Sequence, residues 1–528
     1  MSESQLFLFE RVDGHPDATA ILTSGGRITA MLTTAEAAQV DRRTASVHDI
    51  GGWAYPGFVD SHSHPVLASG LLRGVDLSAV ASIAELRDTL AGAARDLPPR
   101  AWVLGWGLAY SLWGDASPDA ASIDGVTGGR PVSLQFFDCH ALLLDRVALG
   151  LADAERMPVF DSGSRAVTDD DGRATGLVLE EEAMDYVRRA IPTEPEGTRR
   201  ARLSAILRDM AASGLTGLHV MDALGDGVVS YADLEARSEL PLRVKLHRWF
   251  TPAMAEAGID PSVAPAGRGR RWHHHGVKLF LDGTVDNGTA WLSDPDVHGG
   301  SRASIWTDPE EYRRVVLALA SAGIPTATHA IGDAAIRWAA RTAGDAHERF
   351  AGIRHRIEHL EVSDAEVIAE VRRSGAVASM QPTHCTHFVR ADGTDTWSRR
   401  LGDRRRHGWP LRSFRDAGVP LAFGSDFPIA PFEPLPILAD AVLRRRSGTG
   451  AEPIRPEEGV GIADGIAGYT RGAAYAAGVE AEEGALAPGF LADISVFDAD
   501  LSKADPETLA AVHVRATVVD GVVSRYAR

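Results

Sequence analysis

The sequence predicts an α/β protein built on a (β/α)8 barrel, the TIM-barrel fold. The middle of the chain alternates short apolar runs with longer helical stretches rich in Ala, Leu and Arg. Such alternation is typical of βα units around a parallel sheet. Eight of the apolar runs stand out as strands, the number that a closed barrel of this kind needs. Both ends of the chain instead have the texture of short strands joined by tight turns.

The predicted barrel strands lie at 57–64, 216–222, 242–250, 276–282, 324–330, 354–360, 376–382 and 420–426. Helical stretches separate several of them, for example at 198–213, 308–323 and 333–350. Residues 101–107 and 131–138 are equally strand-like, but residues 65–215 are far too long for one βα connection. We therefore expect an inserted subdomain at about 90–200, after the first barrel strand.

The two ends of the chain predict a second, smaller unit. Residues 18–31 hold two apolar runs around a pair of glycines, the signal of a β-hairpin, and residues 491–500 and 514–527 have the same pattern. We predict a small β-sandwich domain built from both termini, with the barrel between them. The predicted domains are 1–57 plus 480–528 for the sandwich and 58–479 for the barrel. Length alone would also allow several smaller domains.

Composition excludes several classes of partner. The 54 basic residues against 72 acidic ones give a formal charge of −18, which disfavours nucleic acid and anionic membranes as partners. No apolar run reaches the ~18 residues of a transmembrane helix, and the start lacks the regions of a signal peptide. The two cysteines, Cys139 and Cys385, cannot form a disulfide framework. We expect a cytoplasmic protein acting on a small molecule, with a homodimer as the default assembly.

Metal-ligand types recur at the ends of the predicted strands. In the first strand, Asp60, His62 and His64 share one face, because side chains alternate with period two. Further polar residues lie within or at the ends of four other strands; these are Lys278, His329, His359 and Asp426. In a barrel, the carboxyl ends of the strands form the active-site face. The topology would therefore bring these residues to one pocket.

Taken singly, each residue has a structural explanation. A lone histidine is commonly a hydrogen-bonding residue, and Asp426 before Phe427-Pro428 is also explained as a turn former. Together, four imidazoles and a carboxylate suit Zn²⁺ or a similar divalent ion. A lysine is rarely buried without a partner, which makes Lys278 anomalous. A neutral buried amine can react with CO₂, and the resulting N-carboxylated Lys278 would bridge two metals.

Five motifs in order resemble the amidohydrolase superfamily, most closely its long-chain branch, which includes N-substituted formamide deformylases. They are FVDSHSHP (58–65), GVKLFLDGT (276–284), THAIGDAA (328–335), RIEHLE (356–361) and LAFGSDFP (421–428). The resemblance extends to FFDCHALLLD (136–145) and GALAPGFLADISVFD (484–498), and so covers nearly the whole chain.

The resemblance implies a ligand set for two metals. In the family, two histidines and an aspartate hold one metal, which matches His62, His64 and Asp426. Two further histidines hold the second, and a carboxylated lysine bridges the pair; the matching residues are His329, His359 and Lys278. The expected ion is Zn²⁺, with Fe or Mn as alternatives. Because branches of the superfamily differ in metal number, one metal is also consistent.

The implied chemistry is hydrolysis of a C–N bond in an amide, N-formyl compound, cyclic imide or carbamate-like substrate. A metal-bound hydroxide would attack, with Asp426 as general acid and base. Two alternatives remain open. The same site could serve decarboxylation or ester hydrolysis, or the chain could be a non-catalytic binding or regulatory protein on this scaffold.

Weaker candidates surround this set. We expect substrate contacts from His140 in the inserted segment, from Trp106, from Asp282 and from His384. Asp282 has a second interpretation as an orienting or turn residue, and Trp106 one as packing.

Two polar runs predict only structural roles. The run His273-His274-His275 is expected to precede the fourth barrel strand, away from the site. The run Glu180-Glu181-Glu182 is expected to be the acidic first turn of a helix.

Overall fold

A computed structural model describes residues 4–114, 116–160, 162–223, 227–263 and 267–526. Its largest sheet has eight parallel strands in the order in which they occur along the chain. We number them barrel strands one to eight: Phe58–Ser63, Leu215–Val220, Arg243–Trp249, Trp272–Phe280, Thr326–Ala330, Arg356–His359, Val377–Met380 and Leu421–Phe423.

The eighth strand returns to the first and closes the barrel. The backbone N–H of Asp426 donates to the carbonyl of His62 at 2.7 Å, and the N–H of His64 donates to the carbonyl of Phe427 at 2.7 Å. A parallel bridge pairs Ser63 with Phe427. The predicted (β/α)8 barrel is therefore confirmed, and its closing seam lies between two of the predicted site motifs.

Helices surround the barrel and seal its outer face. The helix Asp333–Arg349 buries Ile336, Ala339, Ala340 and Ala343, spaced three or four residues apart as an amphipathic helix requires. The α-helices among the described residues are Thr34–Ala37, Pro65–Leu71, Ile83–Arg95, Arg146–Leu151, Glu181–Arg188, Glu196–Ala212, Gly227–Ala236, Pro252–Glu256, Pro309–Ser321, Asp333–Arg349, Ala365–Ser374, Pro382–Phe388, Thr396–Leu401, Leu411–Asp416, Pro434–Leu443, Ile462–Tyr469 and Arg471–Ala476. In the described part of the chain, none of them combines the length and the apolar character that crossing a bilayer requires.

Between barrel strands one and two, the chain forms a six-stranded sheet with its own apolar core. Its strands, in sheet order, are Arg165–Thr168, Ala174–Leu179, Ala141–Leu144, Val132–Phe136, Val103–Leu108 and Val75–Asp76. The sheet thus begins ahead of the residue-90 boundary that the sequence suggests. A strand of two residues is too short to produce an apolar pattern.

Two further sheets share a small core. One contains only N-terminal strands, in the order Arg27–Leu32, Ala20–Ser24, Ser4–Leu8 and Ala45–Asp49. The other joins both ends of the chain, in the order Arg11–Val12, Trp53–Pro56, Ile494–Phe497, Val514–Val519 and Val522–Tyr526. Phe7 and Ile21 from the first sheet are buried in one cluster with Val496 and Val518 from the second.

The histidine run of the fourth strand differs from expectation. Residues His273, His274 and His275 do not precede barrel strand four but lie within it, at its amino end. His275 packs its ring 5.2 Å from that of His247 in strand three. Side chains alternate between the two faces of a strand, and the polar histidines interrupt the apolar pattern, so the strand begins earlier than its apolar residues indicate.

Candidate metal centre

Three side chains converge at the closing seam of the barrel. The Nε2 atoms of His62 and His64 lie 3.2 Å apart. Each also approaches Oδ1 of Asp426, at 3.3 Å from His62 and 3.1 Å from His64. The three donor atoms form a nearly equilateral triangle. His62 is fully buried, while His64 and Asp426 are 6 % and 5 % exposed.

The local sequence fixes this triangle through the backbone. The buried carboxylate of Asp60 accepts from the N–H of His62 at 3.0 Å and from the N–H of Ser425 at 3.0 Å. It thereby fastens strand one to the segment after strand eight. At Gly424, an added Cβ would lie 2.5 Å from the backbone nitrogen of His62. The absence of a side chain there lets the two strands approach closely enough for Asp426 to meet the histidines.

The triangle fits a divalent metal. Ligands of a tetrahedral zinc at about 2.0–2.1 Å lie about 3.3 Å from one another, which is close to the separations seen here. Oδ1 of Asp426 is buried and has no hydrogen-bond partner among the described residues, as expected of an atom reserved for a cation. His62, His359 and Asp426 also offer donor atoms within 4.8 Å of one another.

The second predicted half of the site lies beside the first. The rings of His329 and His359 have centroids 4.5 Å apart, and that of His359 lies 4.8 Å from that of His62. The Nζ atom of Lys278 is 3.3 Å from Nε2 of His62. It also lies 4.9 Å from the centroid of the Phe280 ring, which neighbours His329. Five of the six predicted ligands therefore line one cavity, and the sixth, His62, lies behind it against His64 and Lys278.

Each of three histidines is oriented through one ring nitrogen. Nδ1 of His62 lies 2.6 Å from Oε2 of Glu358, and Nδ1 of His359 lies 2.9 Å from Oε1 of Gln381. Nε2 of His329 lies 3.2 Å from the carbonyl of Gly283. Metal-binding histidines are commonly held in this way, since the second nitrogen fixes the tautomer and the ring direction.

Glu358 was missed by the sequence analysis, although it lies inside the RIEH motif. It is fully buried and receives two bonds from the Arg356 guanidinium, at 2.6 Å and 3.0 Å. Arg356 also donates to the carbonyl of Ser61 at 2.6 Å, so the pair links strand six to strand one. The available signal was two charged residues two apart in a predicted barrel strand, where both must face the barrel interior.

The electrostatic environment leaves the donor atoms in a protonation state that can bind a cation. Burial lowers the pKa of His62, His329 and His359 well below the ordinary imidazole value, so all three stay neutral with free lone pairs. Burial alone would raise the pKa of Asp426, but the imidazole of His64, 3.1 Å from Oδ1, favours the anionic form and holds that pKa below its usual range. The site therefore offers neutral nitrogens around one carboxylate anion.

His384 and Asp282 both reach the cavity. Nε2 of His384 lies 3.5 Å from Oδ2 of Asp426, and its ring is parallel to that of His359. The carboxylate of Asp282 instead accepts from the backbone N–H groups of Ile331 at 3.0 Å and of Gly332 at 2.8 Å. Asp282 thus anchors the loop after strand five, which agrees with its orienting role rather than with direct substrate contact.

His140 also lies at the cavity, 5.2 Å from the His329 ring between centroids. Its Nδ1 lies 2.9 Å from Oε2 of Glu180. Although burial opposes it, this carboxylate raises the pKa of His140 to about 9. The expectation that Glu180 belongs to an acidic helix turn is wrong, because the residue precedes the helix Glu181–Arg188 and turns its side chain inward.

Trp106 lies outside the lining of this cavity. It lines an adjoining cleft instead. Phe137 and Phe388 lie between this cleft and the cavity that holds the predicted ligands. Those two rings are stacked with centroids 4.3 Å apart, and both line the two spaces. Trp106 in the inserted sheet is therefore one compartment away from the predicted ligands.

Comparison with known proteins identifies the family. The sequence pattern of the Amidohydrolase family matches residues 50–525. The protein YtcJ of Bacillus subtilis is 29% identical over 490 residues, covering 90% of this chain and 89% of its own. An N-substituted formamide deformylase of Arthrobacter pascens is 27% identical over 540 aligned residues, covering 97% and 95%.

A solved structure shows the same fold. An uncharacterized metal-dependent hydrolase from Pyrococcus horikoshii superposes with a TM-score of 0.73 at 22% sequence identity, covering 96% of this chain and 99% of that one. The family pattern over residues 50–525 confirms the resemblance seen in the five motifs. The chain belongs to the Amidohydrolase family.

Proposed function

We propose that the protein is a metal-dependent hydrolase of a C–N bond in a small amide, with an N-formyl compound as the substrate class that the relatives favour. The observation that carries the proposal is the triangle of His62, His64 and Asp426 around a buried, unpartnered carboxylate oxygen. A relative that aligns with 97% of this chain bears the name N-substituted formamide deformylase.

The positions of the residues suggest which of them would hold each cation. We assign His62, His64 and Asp426 to one divalent cation, and His329 and His359 to a second. When bound, such ions activate water and polarise a carbonyl oxygen. Zn²⁺ suits these neutral imidazoles and the carboxylate, and Fe or Mn are the alternatives.

Asp426 is the proposed proton carrier. Despite burial, the His64 imidazole beside Oδ1 holds the pKa of Asp426 below its usual range, so Asp426 is an anion at neutral pH and can accept a proton from the attacking water. Its Oδ2 faces His384 rather than the protein backbone. From there, Asp426 would return the proton to the leaving nitrogen when the C–N bond breaks.

The cavity favours a small, largely apolar amide. Its volume is about 130 Å³, and aromatic side chains form much of its wall. These are Phe137, Trp249, Phe250, Phe280, Phe388, Trp397 and Trp409. Acidic groups such as Glu180 and Asp138 also line it, which disfavours an anionic substrate.

Lys278 is the proposed bridge between the ions, in its N-carboxylated form. Burial lowers the pKa of Lys278 to about 8, so the neutral amine becomes populated as the pH rises through that value. The amine nitrogen attacks CO₂, forms a C–N bond and releases one proton, leaving an anionic carbamate. Metal loading of the stripped protein should therefore be stimulated by bicarbonate at pH 8.5.

A ¹³C-bicarbonate NMR experiment tests this step. The wild type with Zn²⁺ should show a carbamate resonance that Lys278→Ala lacks. A wild-type spectrum without that resonance, combined with metal loading that ignores bicarbonate, rules out the bridge.

A substrate panel tests the reaction itself. We expect release of free amine from N-formyl amines, abolished by a chelator and restored by Zn²⁺. The panel should also contain N-acyl amino acids, cyclic imides, aryl esters and carboxylates that can lose CO₂. Asp426→Asn should lower the rate by about 10²–10⁴-fold. Turnover confined to esters or to CO₂ release would favour the rival chemistry, and binding without turnover would favour a non-catalytic role.

A further inference from the structure

Glu180 is a buried carboxylate that the reaction outlined above does not use. It is 7 % exposed and stands directly before the helix Glu181–Arg188. Its φ of 66° lies in the left-handed region, which costs free energy for a residue other than glycine. Such strain persists only where surrounding contacts fix the residue, and it is frequent at functional sites.

The contacts of Glu180 converge on one histidine. Its Oε2 lies 2.9 Å from Nδ1 of His140, and its backbone N–H donates to the carbonyl of His140 at 2.9 Å. Asn287, in the loop after barrel strand four, donates from Nδ2 to Oε1 of Glu180 at 3.3 Å. Glu180 is therefore bonded to both the ring and the backbone of His140.

The loop after barrel strand four is shaped around this carboxylate. A Cβ added at Gly283 would lie 2.3 Å from Oε1 of Glu180 and 2.0 Å from Oγ1 of Thr289. Only glycine leaves room for the Glu180 side chain to enter. The same Gly283 provides the carbonyl beside Nε2 of His329, so one short loop serves Glu180 and a predicted metal ligand.

The turn that carries His140 is fixed from the opposite side. It connects strands Val132–Phe136 and Ala141–Leu144 of the inserted sheet. The N–H of His140 donates to Oδ1 of Asp138 at 3.1 Å. Thr284 of the barrel donates from Oγ1 to the same carboxylate at 2.8 Å. Inserted sheet and barrel thus hold His140 between them.

His140 is placed to meet a ligand in the cavity. Its side chain is 16 % exposed, compared with 4 % for His329, whose ring centroid lies 5.2 Å away. Because Glu180 occupies Nδ1, Nε2 is the ring nitrogen left for a molecule bound beside His329. We propose that Glu180 is a positioning residue that aims Nε2 of His140 at the substrate, an inference that rests on the proposed hydrolase function.

Kinetics of single and double variants test the pairing in the metal-loaded full chain, with the substrate found in the panel. Glu180→Gln and His140→Gln should each lower kcat/KM by about 10²-fold, the cost of a small misplacement in an active site. Metal content per chain should not change. The double variant should be no slower than His140→Gln alone, since both changes remove one interaction. Glu458→Gln, which alters a buried carboxylate outside the cavity, is the matched control and should retain full activity.

Chemical rescue separates positioning from a merely structural role. Glu180→Gly tolerates the left-handed backbone, so it removes the carboxylate without added strain. Formate in the buffer should raise kcat/KM of this variant at least tenfold and should leave kcat/KM of His140→Gln unchanged. Wild-type kinetics in Glu180→Gln, or effects of Glu180→Gln and His140→Gln that multiply in the double variant, would overturn the proposal.

A crystal structure of Glu180→Gln decides the matter independently of turnover. The His140 ring should leave its position beside His329 or occupy several rotamers. A ring that stays in place overturns the positioning role, whatever the activity. A wild type without metal-dependent turnover, by contrast, refutes the hydrolase proposal. The position of the His140 ring in the Glu180→Gln crystal structure can still be determined in that case.

Discussion

Glu358 shows how a single buried residue supports the predicted metal ligands without touching the cavity. It holds Nδ1 of His62 at 2.6 Å while Arg356 neutralises its charge. A carboxylate behind a metal-binding histidine fixes the ring and raises its basicity. The position of His62 in barrel strand one therefore depends on an ion pair within barrel strand six.

Glu358→Gln should weaken metal binding by about 10–100-fold. It also leaves Arg356 buried with a diminished partner, so the free energy of unfolding should fall by about 3 kcal/mol. Competition with a chromogenic chelator measures the affinity, and urea unfolding of the stripped protein measures the stability. Glu370→Gln is the control, because that carboxylate pairs with Arg337 on an outer helix. Unchanged metal affinity in Glu358→Gln would contradict the orienting role.

At the scale of single residues, the sequence predicted the motif residues but not the residues that orient them. His62, Lys278 and Asp426 could be found because their residue types at strand ends are unusual. Glu180 could not, because its inward direction follows from a left-handed backbone that three consecutive glutamates do not signal. The strand pattern around Glu358 contained the information, since alternation places it on the same face as Arg356.

Gly424 shows how one element positions the site. Strand eight contributes only Leu421–Phe423, and the chain then passes His62 with no room for a side chain. The two strands can therefore approach closely because no Cβ lies between them. Ser425 follows and donates through Oγ to Asp60 at 2.5 Å, which secures the same seam.

Gly424→Ala should destabilise the protein by about 1–3 kcal/mol, as expected for overpacking in a close-packed interior. The added Cβ would lie 2.6 Å from Cβ of His62, so metal occupancy should fall as well. Calorimetry and metal analysis of the same preparation measure both effects. Gly70→Ala, at a helical position with open space around the new Cβ, should leave metal occupancy unchanged and should not destabilise the protein. Full occupancy in Gly424→Ala would show that the seam is more tolerant than its spacing indicates.

Element boundaries were harder to predict than elements. All eight barrel strands were found from apolar runs, but strand four begins at Trp272 because its half-buried histidines carry no apolar pattern. The inserted sheet begins with Val75–Asp76, a strand that only pairing with Val103–Leu108 reveals. Such pairings link distant segments, and no local pattern contains them.

The whole molecule is joined at the amino end of the barrel. Arg243 of barrel strand three forms two bonds with Asp493, at 2.7 Å and 3.2 Å, next to a terminal strand. Lys245 of the same strand lies 2.7 Å from Glu483. These ion pairs connect the barrel to the carboxyl-terminal segment, on the side away from the metal centre.

Asp493→Asn should lower the free energy of unfolding by roughly 3 kcal/mol at pH 7, because Arg243 loses a buried partner. Burial would raise the pKa of Asp493, but Arg243 outweighs it and lowers that pKa below the ordinary 3.8. The carboxylate therefore contributes stability above its ordinary pKa, and this contribution disappears as the pH falls through the lowered value. The difference between variant and wild type should shrink accordingly in strong acid.

Urea unfolding at several pH values measures this difference. Asp171→Asn, in an exposed pair with Arg173, should stay within about 0.5 kcal/mol of wild type. An Asp493→Asn protein that is as stable as wild type at pH 7 would show that the ion pair does not hold the two parts together.

The fold of the whole molecule was predictable because its signals are redundant. Eight strand patterns and five ordered motifs agree on one barrel, whose strand ends gather His64, His329 and Asp426. The partition of the cavity was not predictable, since it depends on where the inserted sheet places Phe137 against Phe388. Trp106 therefore lies in a neighbouring cleft although its strand adjoins the site.

Metal analysis by mass spectrometry tests the central claim most directly. Purified wild type should contain about one or two equivalents of zinc, iron or manganese per chain, as two sets of ligands allow. The variant His62→Ala with His64→Ala should contain almost none while remaining folded by circular dichroism. A wild type that is metal-free as purified, takes up no divalent ion on dialysis and is unaffected by chelator would contradict a metal-dependent hydrolase.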